Sequence, residues 1–180
     1  MPIIRKDMQA FLKMFLAAKK AGNILEVGTA VGFSALFMCE YGEPEVQITT
    51  IENYEKRISA AKANFAKAGR EKQITLLEGD AQVVLKTLDA PFDFIFMDAA
   101  KGQYIHFLPD ILRLLPSGGI LISDNVLQDG DIIESHFAVE RRNRTIYKRM
   151  RDYLYTLTHH EQLVTAVLPV GDGITVSVKK

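Results

Sequence analysis

The sequence holds one cysteine, no tryptophan and no apolar run near the ~20 residues that a membrane-spanning helix needs. A single cysteine excludes an internal disulfide and a thiolate metal centre. Cys39 ends the apolar helical stretch Ser34-Ala-Leu-Phe-Met-Cys39 and reads as a small core residue. Met1-Pro-Ile-Ile-Arg-Lys-Asp7 lacks the apolar segment of a secretory signal, so a soluble, cytoplasmic protein is expected. Net charge is missing too, since 22 Lys and Arg balance 22 Asp and Glu. Whole-molecule electrostatics therefore points to neither nucleic acid nor a membrane. Linkers, low-complexity stretches and internal repeats are also absent. What is present is apolar content: 48% of 180 residues are hydrophobic. That suffices for one domain over residues 1–180, burying roughly 70% of the surface its unfolded chain exposes.

Apolar β-rich runs alternate with helical patterns. Met8, Phe11, Leu12, Phe15 and Leu16 recur at helical spacing, with Gly22 as the expected stop. Strands are expected at 23–27, 46–51, 74–77, 92–97 and 120–123. Helices are expected between them, to about Tyr41, at 54–68, 81–88 and 104–115, and then from about Ile133 to Leu157. Two further strands, 163–168 and 174–178, are separated only by Val170-Gly-Asp-Gly173 and form a hairpin. The fold class is thus α/β: a Rossmann-like, seven-stranded, mostly parallel sheet covered on both faces, with a C-terminal antiparallel hairpin.

In such sheets ligands bind outside the carboxyl ends of the strands. Glu26-Val-Gly28-Thr-Ala-Val-Gly32-Phe-Ser34 occupies the first of these turns. Gly28 and Gly32 let the backbone bend and approach a ligand, and the following helix offers free N–H groups to an anion. The Gly-x-x-x-Gly spacing differs from the dinucleotide fingerprint, and no Lys-Ser/Thr follows to make a P-loop. Glu52 closes the second strand 24 residues beyond Gly28, where a carboxylate can accept from both hydroxyls of a ribose. A solvated strand-end acid is the alternative. Glu78-Gly79-Asp80-Ala81, after the third strand, places polar groups for an adenine.

With Met97-Asp-Ala-Ala-Lys-Gly-Gln-Tyr104 and Ser123-Asp-Asn-Val126, these segments resemble the class I S-adenosylmethionine-dependent methyltransferases. More narrowly, the chain is similar to metal-dependent O-methyltransferases of the catechol and caffeoyl-CoA type. The resemblance implies that Glu26, Gly28, Thr29, Gly32, Ser34, Glu52, Gly79, Asp80, Ala81 and Asp98 bind S-adenosylmethionine.

Asp98 ends the fourth strand, and Asp124 and Asn125 end the fifth. Neighbouring parallel strands would bring the three to one rim as an oxygen-only set for Mg²⁺, Mn²⁺ or Ca²⁺. Spacing alone equally allows an Asp-Asn turn cap beside an exposed acid. The resemblance favours the metal site and makes Lys101 the base that takes a hydroxyl proton. Tyr104 either walls the substrate or packs on the sheet. The four histidines show no ligand spacing with these acids.

Arg141, Arg142, Arg144, Lys148, Arg149 and Arg151 fall on one half of the last helix, with Ile146, Tyr147, Met150, Leu154 and Leu157 on the other. Such a face is either solvated or a phosphate contact. Together with Pro2-Ile-Ile-Arg-Lys-Asp-Met8, it resembles the bacterial tRNA 5-hydroxyuridine methyltransferase branch. That branch implies a tRNA anticodon loop as partner, bound through Arg141, Arg142, Arg144, Lys148 and Tyr104, and a wobble 5-methoxyuridine as product. A small vicinal-diol phenol is the competing substrate, and a cofactor-binding module without activity the competing class. Relatives carry a further N-terminal helical segment that helps cover the substrate pocket and form a homodimer; it is expected to be missing here.

Overall fold

A computed structural model describes residues 4–127 and 144–180. Pro2, Ile3, the expected helix start at Ile133, and Arg141 and Arg142 lie outside the described residues.

Helix α1 (Lys6–Lys19) is followed by β1 (Asn23–Val27), α2 (Phe33–Tyr41), β2 (Gln47–Glu52), α3 (Glu55–Ala68) and β3 (Ile74–Glu78). Then come α4 (Ala81–Thr87), β4 (Phe94–Met97), a 3₁₀ turn (Lys101–Gln103), α5 (Tyr104–Leu114) and β5 (Ile120–Ser123). The described chain ends with α6 (Arg144–His159), β6 (Leu163–Leu168) and β7 (Ile174–Lys179).

These strands form one sheet in the order β3-β2-β1-β4-β5-β7-β6. The first five run parallel, and β7 pairs antiparallel with both β5 and β6. The expected hairpin is there, with β7, its second strand, inserted against β5.

Strand alternation sorts the core into two layers. Ile24, Ile48, Phe94, Phe96 and Ile122 face α1, α2 and α3, where Met8, Leu12, Met38 and Phe65 meet them. Leu25, Ile51, Ile95, Met97 and Leu121 face α4, α5 and α6, against Leu85, Phe107, Ile111 and Met150. Cys39 is buried in the first layer, as expected.

One helix stop differs from expectation. Lys20, at φ 52°, takes the left-handed cap of α1 and donates its N–H to Leu16 O at 3.0 Å. Gly22 instead gives its N–H to Asp93 Oδ2 at 3.0 Å, which starts β1. The cap falls on lysine because the chain must turn two residues earlier to enter the sheet.

The chain runs outward from β1 to β3, then returns to β4 on the other side of β1. The loops after β1 and β4 therefore part at this switch point and leave a crevice. They touch at its floor: a Cβ on Gly28, at φ 106°, would lie 2.2 Å from the carbonyl oxygen of Asp98. Gly32, at φ 82°, leaves room for a different neighbour, since a Cβ there would lie 2.3 Å from the Phe65 ring. Gly28 thus lets the two loops meet at the cavity floor, and Gly32 makes room for the Phe65 ring.

Gly32→Ala is expected to cost about 2–4 kcal/mol, the sum of left-handed strain and overpacking. Urea unfolding reads this as a lower midpoint. Phe65→Leu in the same chain is expected to recover part of the loss.

Candidate active site

The crevice is a cavity of about 530 Å³ above the carboxyl ends of β1, β2 and β4. Of the residues expected to hold the cofactor, Gly28, Glu52, Gly79, Asp80, Ala81 and Asp98 line it. Gln103 and Phe107 line it too, and nothing in their local sequence pattern announced them.

Glu52 is 6% exposed and is held by the backbone. Its Oε2 accepts from Ala30 N at 2.9 Å, and its Oε1 accepts from Asn53 N and Tyr54 N at 3.1 Å each. Three of roughly four acceptor directions are occupied; the one left is on Oε2, with Arg57 Nη1 4.0 Å away in the same cavity. Asp80 caps α4, with Oδ1 accepting from Gln82 N at 2.8 Å.

Glu26, Thr29, Gly32 and Ser34 do not line the cavity. Glu26 is wholly buried and accepts from the Ser34 and Thr50 hydroxyls. Thr29 bonds Thr50 Oγ1 at 2.6 Å. A buried polar chain thus braces the first loop from behind, because strand alternation turns Glu26 and Thr50 inward together. Thr50 was not singled out from sequence, although its register opposite Glu26 is the signal that finds it. Burial pushes the Glu26 carboxyl up to about 8, outweighing the two hydroxyl bonds that lower it.

Asp98 and Asp124 follow β4 and β5 directly. Met97 and Ser123 are register partners, and Asp124 N donates to Met97 O at 2.9 Å, so the two acids emerge side by side. Asn125 adopts a left-handed φ of 57° and swings its amide back, Nδ2 lying 3.2 Å from Asp98 Oδ1. Exchanging the amide N and O turns the oxygen to the same point. Burial, then the charge of Asp98, pushes the Asp124 carboxyl up to about 7. Burial also raises Asp98, while the Asn125 bond and the charge of Lys101 lower it.

Neither acid forms an ion pair among the described residues. No group of three His, Cys, Asp or Glu meets there either. Two crowded carboxylates and one amide fit a hard divalent cation and suit a soft one poorly. Asp98, Asp124, Asn125 and Lys101 line a second cavity of about 290 Å³.

Tyr104 takes the packing role of its two expected ones. It is fully buried, accepting from Ala99 N at 3.2 Å and sharing its hydroxyl proton between the carbonyls of Met97 and Asp124, each at 3.1 Å. It therefore ties the loops after β4 and β5 together and does not reach a substrate.

On α6, Tyr147, Met150, Tyr153 and Leu157 are buried. Ile146, expected on the apolar half, is 38% exposed, and Tyr153 takes the inward position, bonding Ser123 Oγ at 2.6 Å. Its spacing of three from Met150 was the available signal. Arg144, Lys148 and Arg149 line a shallow outer cavity. Arg149 Nη1 donates to Gly102 O at 3.2 Å, fastening α6 to the turn that carries Lys101. Arg151 folds back onto Tyr147 Oη at 2.6 Å.

A switch-point crevice over a parallel sheet with an antiparallel β5-β7-β6 edge defines a class I S-adenosylmethionine-dependent methyltransferase fold. The chain belongs to the O-methyltransferase family, whose model matches residues 1–180, and is a S-adenosylmethionine-dependent O-methyltransferase. It is 32% identical to the caffeoyl-CoA O-methyltransferase 2 of Populus trichocarpa over 94% of this chain and 71% of that protein. It is 32% identical to the catechol O-methyltransferase of Mycobacterium tuberculosis over 68% of this chain and 56% of that protein. An SAH-bound methyltransferase of Podospora anserina superposes with a TM-score of 0.88 at 29% identity, over 99% of this chain and 80% of that one. Among the described residues no helix is long and apolar enough to cross a membrane.

Glu26 gives a pH-dependent stability with a definite sign. Between its ordinary 4.5 and about 8, the folded state holds a proton that the unfolded state releases. Stability therefore falls as pH rises through that window, by at most about 1.4 kcal/mol per pH unit from this group. Urea unfolding of Glu26→Gln across the same range is expected to show a flatter profile than the natural chain.

Proposed function

We propose that this chain transfers a methyl group from S-adenosylmethionine to one oxygen of a vicinal oxygen pair, with 5-hydroxyuridine at the wobble position of tRNA as substrate and 5-methoxyuridine as product. The observation that carries the substrate is the cationic surface of Arg144, Lys148 and Arg149, bound through Arg149 to the turn of Lys101. Phosphates beside the reacting base would meet that surface.

In this reading Glu52 orients the ribose of the methyl donor, and Gly28 keeps the floor of its cavity low. Asp98, Asp124 and Asn125 hold a divalent cation, Mg²⁺ being the ordinary choice for such a set. When bound, the cation acidifies the hydroxyl and aligns it, while the sulfonium supplies an electrophilic methyl. Lys101 Nζ, beside the paired acids in this cavity, is the base that takes the hydroxyl proton and passes it to solvent. The new C–O bond forms as the S–C bond breaks, leaving S-adenosylhomocysteine. Ile4 and Met8 add apolar wall to the cavity that holds Lys101 and the paired acids.

A small catechol is the second reading, favoured by the likeness to the Mycobacterium tuberculosis enzyme. The two separate in a paired assay on hydroxyuridine-bearing tRNA and on catechol. Asp124→Asn is expected to slow both at least 100-fold, with S-adenosylhomocysteine binding retained by calorimetry. Arg144→Ala with Lys148→Ala is expected to weaken tRNA methylation about tenfold or more, with a shallower salt dependence. Fast catechol turnover, with tRNA activity absent, would overturn the tRNA reading.

A further inference from the structure

The cavity of Lys101 and the paired acids has another wall, made by Arg5 at the start of α1 and Asp172 in the β6–β7 turn. Arg5 Nη1 donates to Asp172 Oδ1. Arg5 is 61% exposed at its side chain and Asp172 26%, so the pair contributes little as a surface salt bridge.

Nor is the pair needed to fix the turn. Asp7 Oδ2 accepts from Gly171 N at 3.0 Å, which ties the turn to α1. The carbonyls of Asp172 and Gly173 accept from Leu127 N at 3.0 Å and Val126 N at 2.8 Å, which ties it to the loop after Asn125. A charged acceptor and a charged donor thus face the substrate cavity beyond what its scaffold requires. Asp172 and Asp124 line this one cavity together.

A pyrimidine whose O4 and 5-hydroxyl face Asp98, Asp124 and Asn125 presents N3–H and then O2 along its adjoining edge. A donor followed by an acceptor is the complement of a carboxylate beside a guanidinium. A catechol presents C–H groups at those positions, and the carboxylate facing them loses water without gaining a partner.

We propose that Asp172 and Arg5 are specificity-determining residues that read the imide edge of a pyrimidine, Asp172 accepting the ring N–H and Arg5 donating to the far carbonyl. The assignment rests on the hydroxyuridine reading of the substrate, and names what selects it over a phenol.

The test compares kcat/KM for hydroxyuridine-bearing tRNA with kcat/KM for catechol in the natural chain and in Asp172→Ala, Asp172→Asn and Asp7→Asn. In parallel, calorimetry measures 5-hydroxyuridine binding in the presence of Mg²⁺ and S-adenosylhomocysteine. Asp172→Ala is expected to lower the substrate ratio and the nucleoside affinity at least tenfold. Asp172→Asn, which keeps an acceptor oxygen, is expected to recover part of both. Asp7→Asn is expected to lower the melting temperature with the ratio unmoved.

If Asp172→Ala only lowers the melting temperature and slows both substrates in parallel, as a structural clasp would, the specificity role is overturned. An unchanged ratio with unchanged affinity overturns it as well. A natural chain that methylates catechol but neither binds nor methylates hydroxyuridine removes the substrate reading itself. That outcome is distinct, because it appears before any substitution is made.

Discussion

Two carboxylates stand side by side at the carboxyl end of the sheet because β4 and β5 run parallel with Met97 opposite Ser123. The proposed acceptor chemistry depends on that juxtaposition. Burial raises the proton affinity of both carboxyls, and the charge of Asp98 raises that of Asp124 further. Such a pair resists staying charged unless a cation joins it. The surrounding structure works to hold the arrangement: Tyr104 grips the backbone on both sides, and Asn125 takes a left-handed turn that brings its amide to Asp98.

The other half of the site depends on close packing at the switch point. Gly28 lies against the Asp98 carbonyl, so the loop of the methyl-donor cavity and the loop bearing the paired acids share a contact. In the proposed function this contact would set the donor and acceptor sites at one fixed separation, which is what in-line transfer requires. Glu26 reinforces this from beneath, as a buried acid bonded to Ser34 and Thr50. Its motif position suggests a binding residue, and its burial makes it a brace.

In the proposed function, charge on α6 would link recognition to the chemistry. Arg149 reaches Gly102 within the turn that begins at Lys101, so a cationic helix is coupled mechanically to the proposed base. On the opposite wall, the start of α1 and the β6–β7 turn close over the small cavity. In the proposed function, substrate selection would thus fall to segments far apart in the chain, around the carboxyl ends of the parallel strands.

Much was legible from residue order alone. Alternating apolar runs and helical periodicities located the strands and helices, and the short Val170-to-Gly173 connection required an antiparallel end to the sheet. Gly28, Glu52, Asp98, Asp124 and Asn125 were identifiable because strand ends in a parallel sheet share one rim, a property that local pattern reveals. Tertiary structure alone decided which polar groups face ligand and which face protein. Glu26, Ser34 and Tyr104 turned inward, Tyr153 replaced Ile146 on the packed side of α6, and Arg5 met Asp172 across nearly the whole chain. The physical reason is that periodicity specifies which side of its own element a residue occupies. Whether that side meets solvent, a cavity or a distant side chain depends on how neighbouring elements pack.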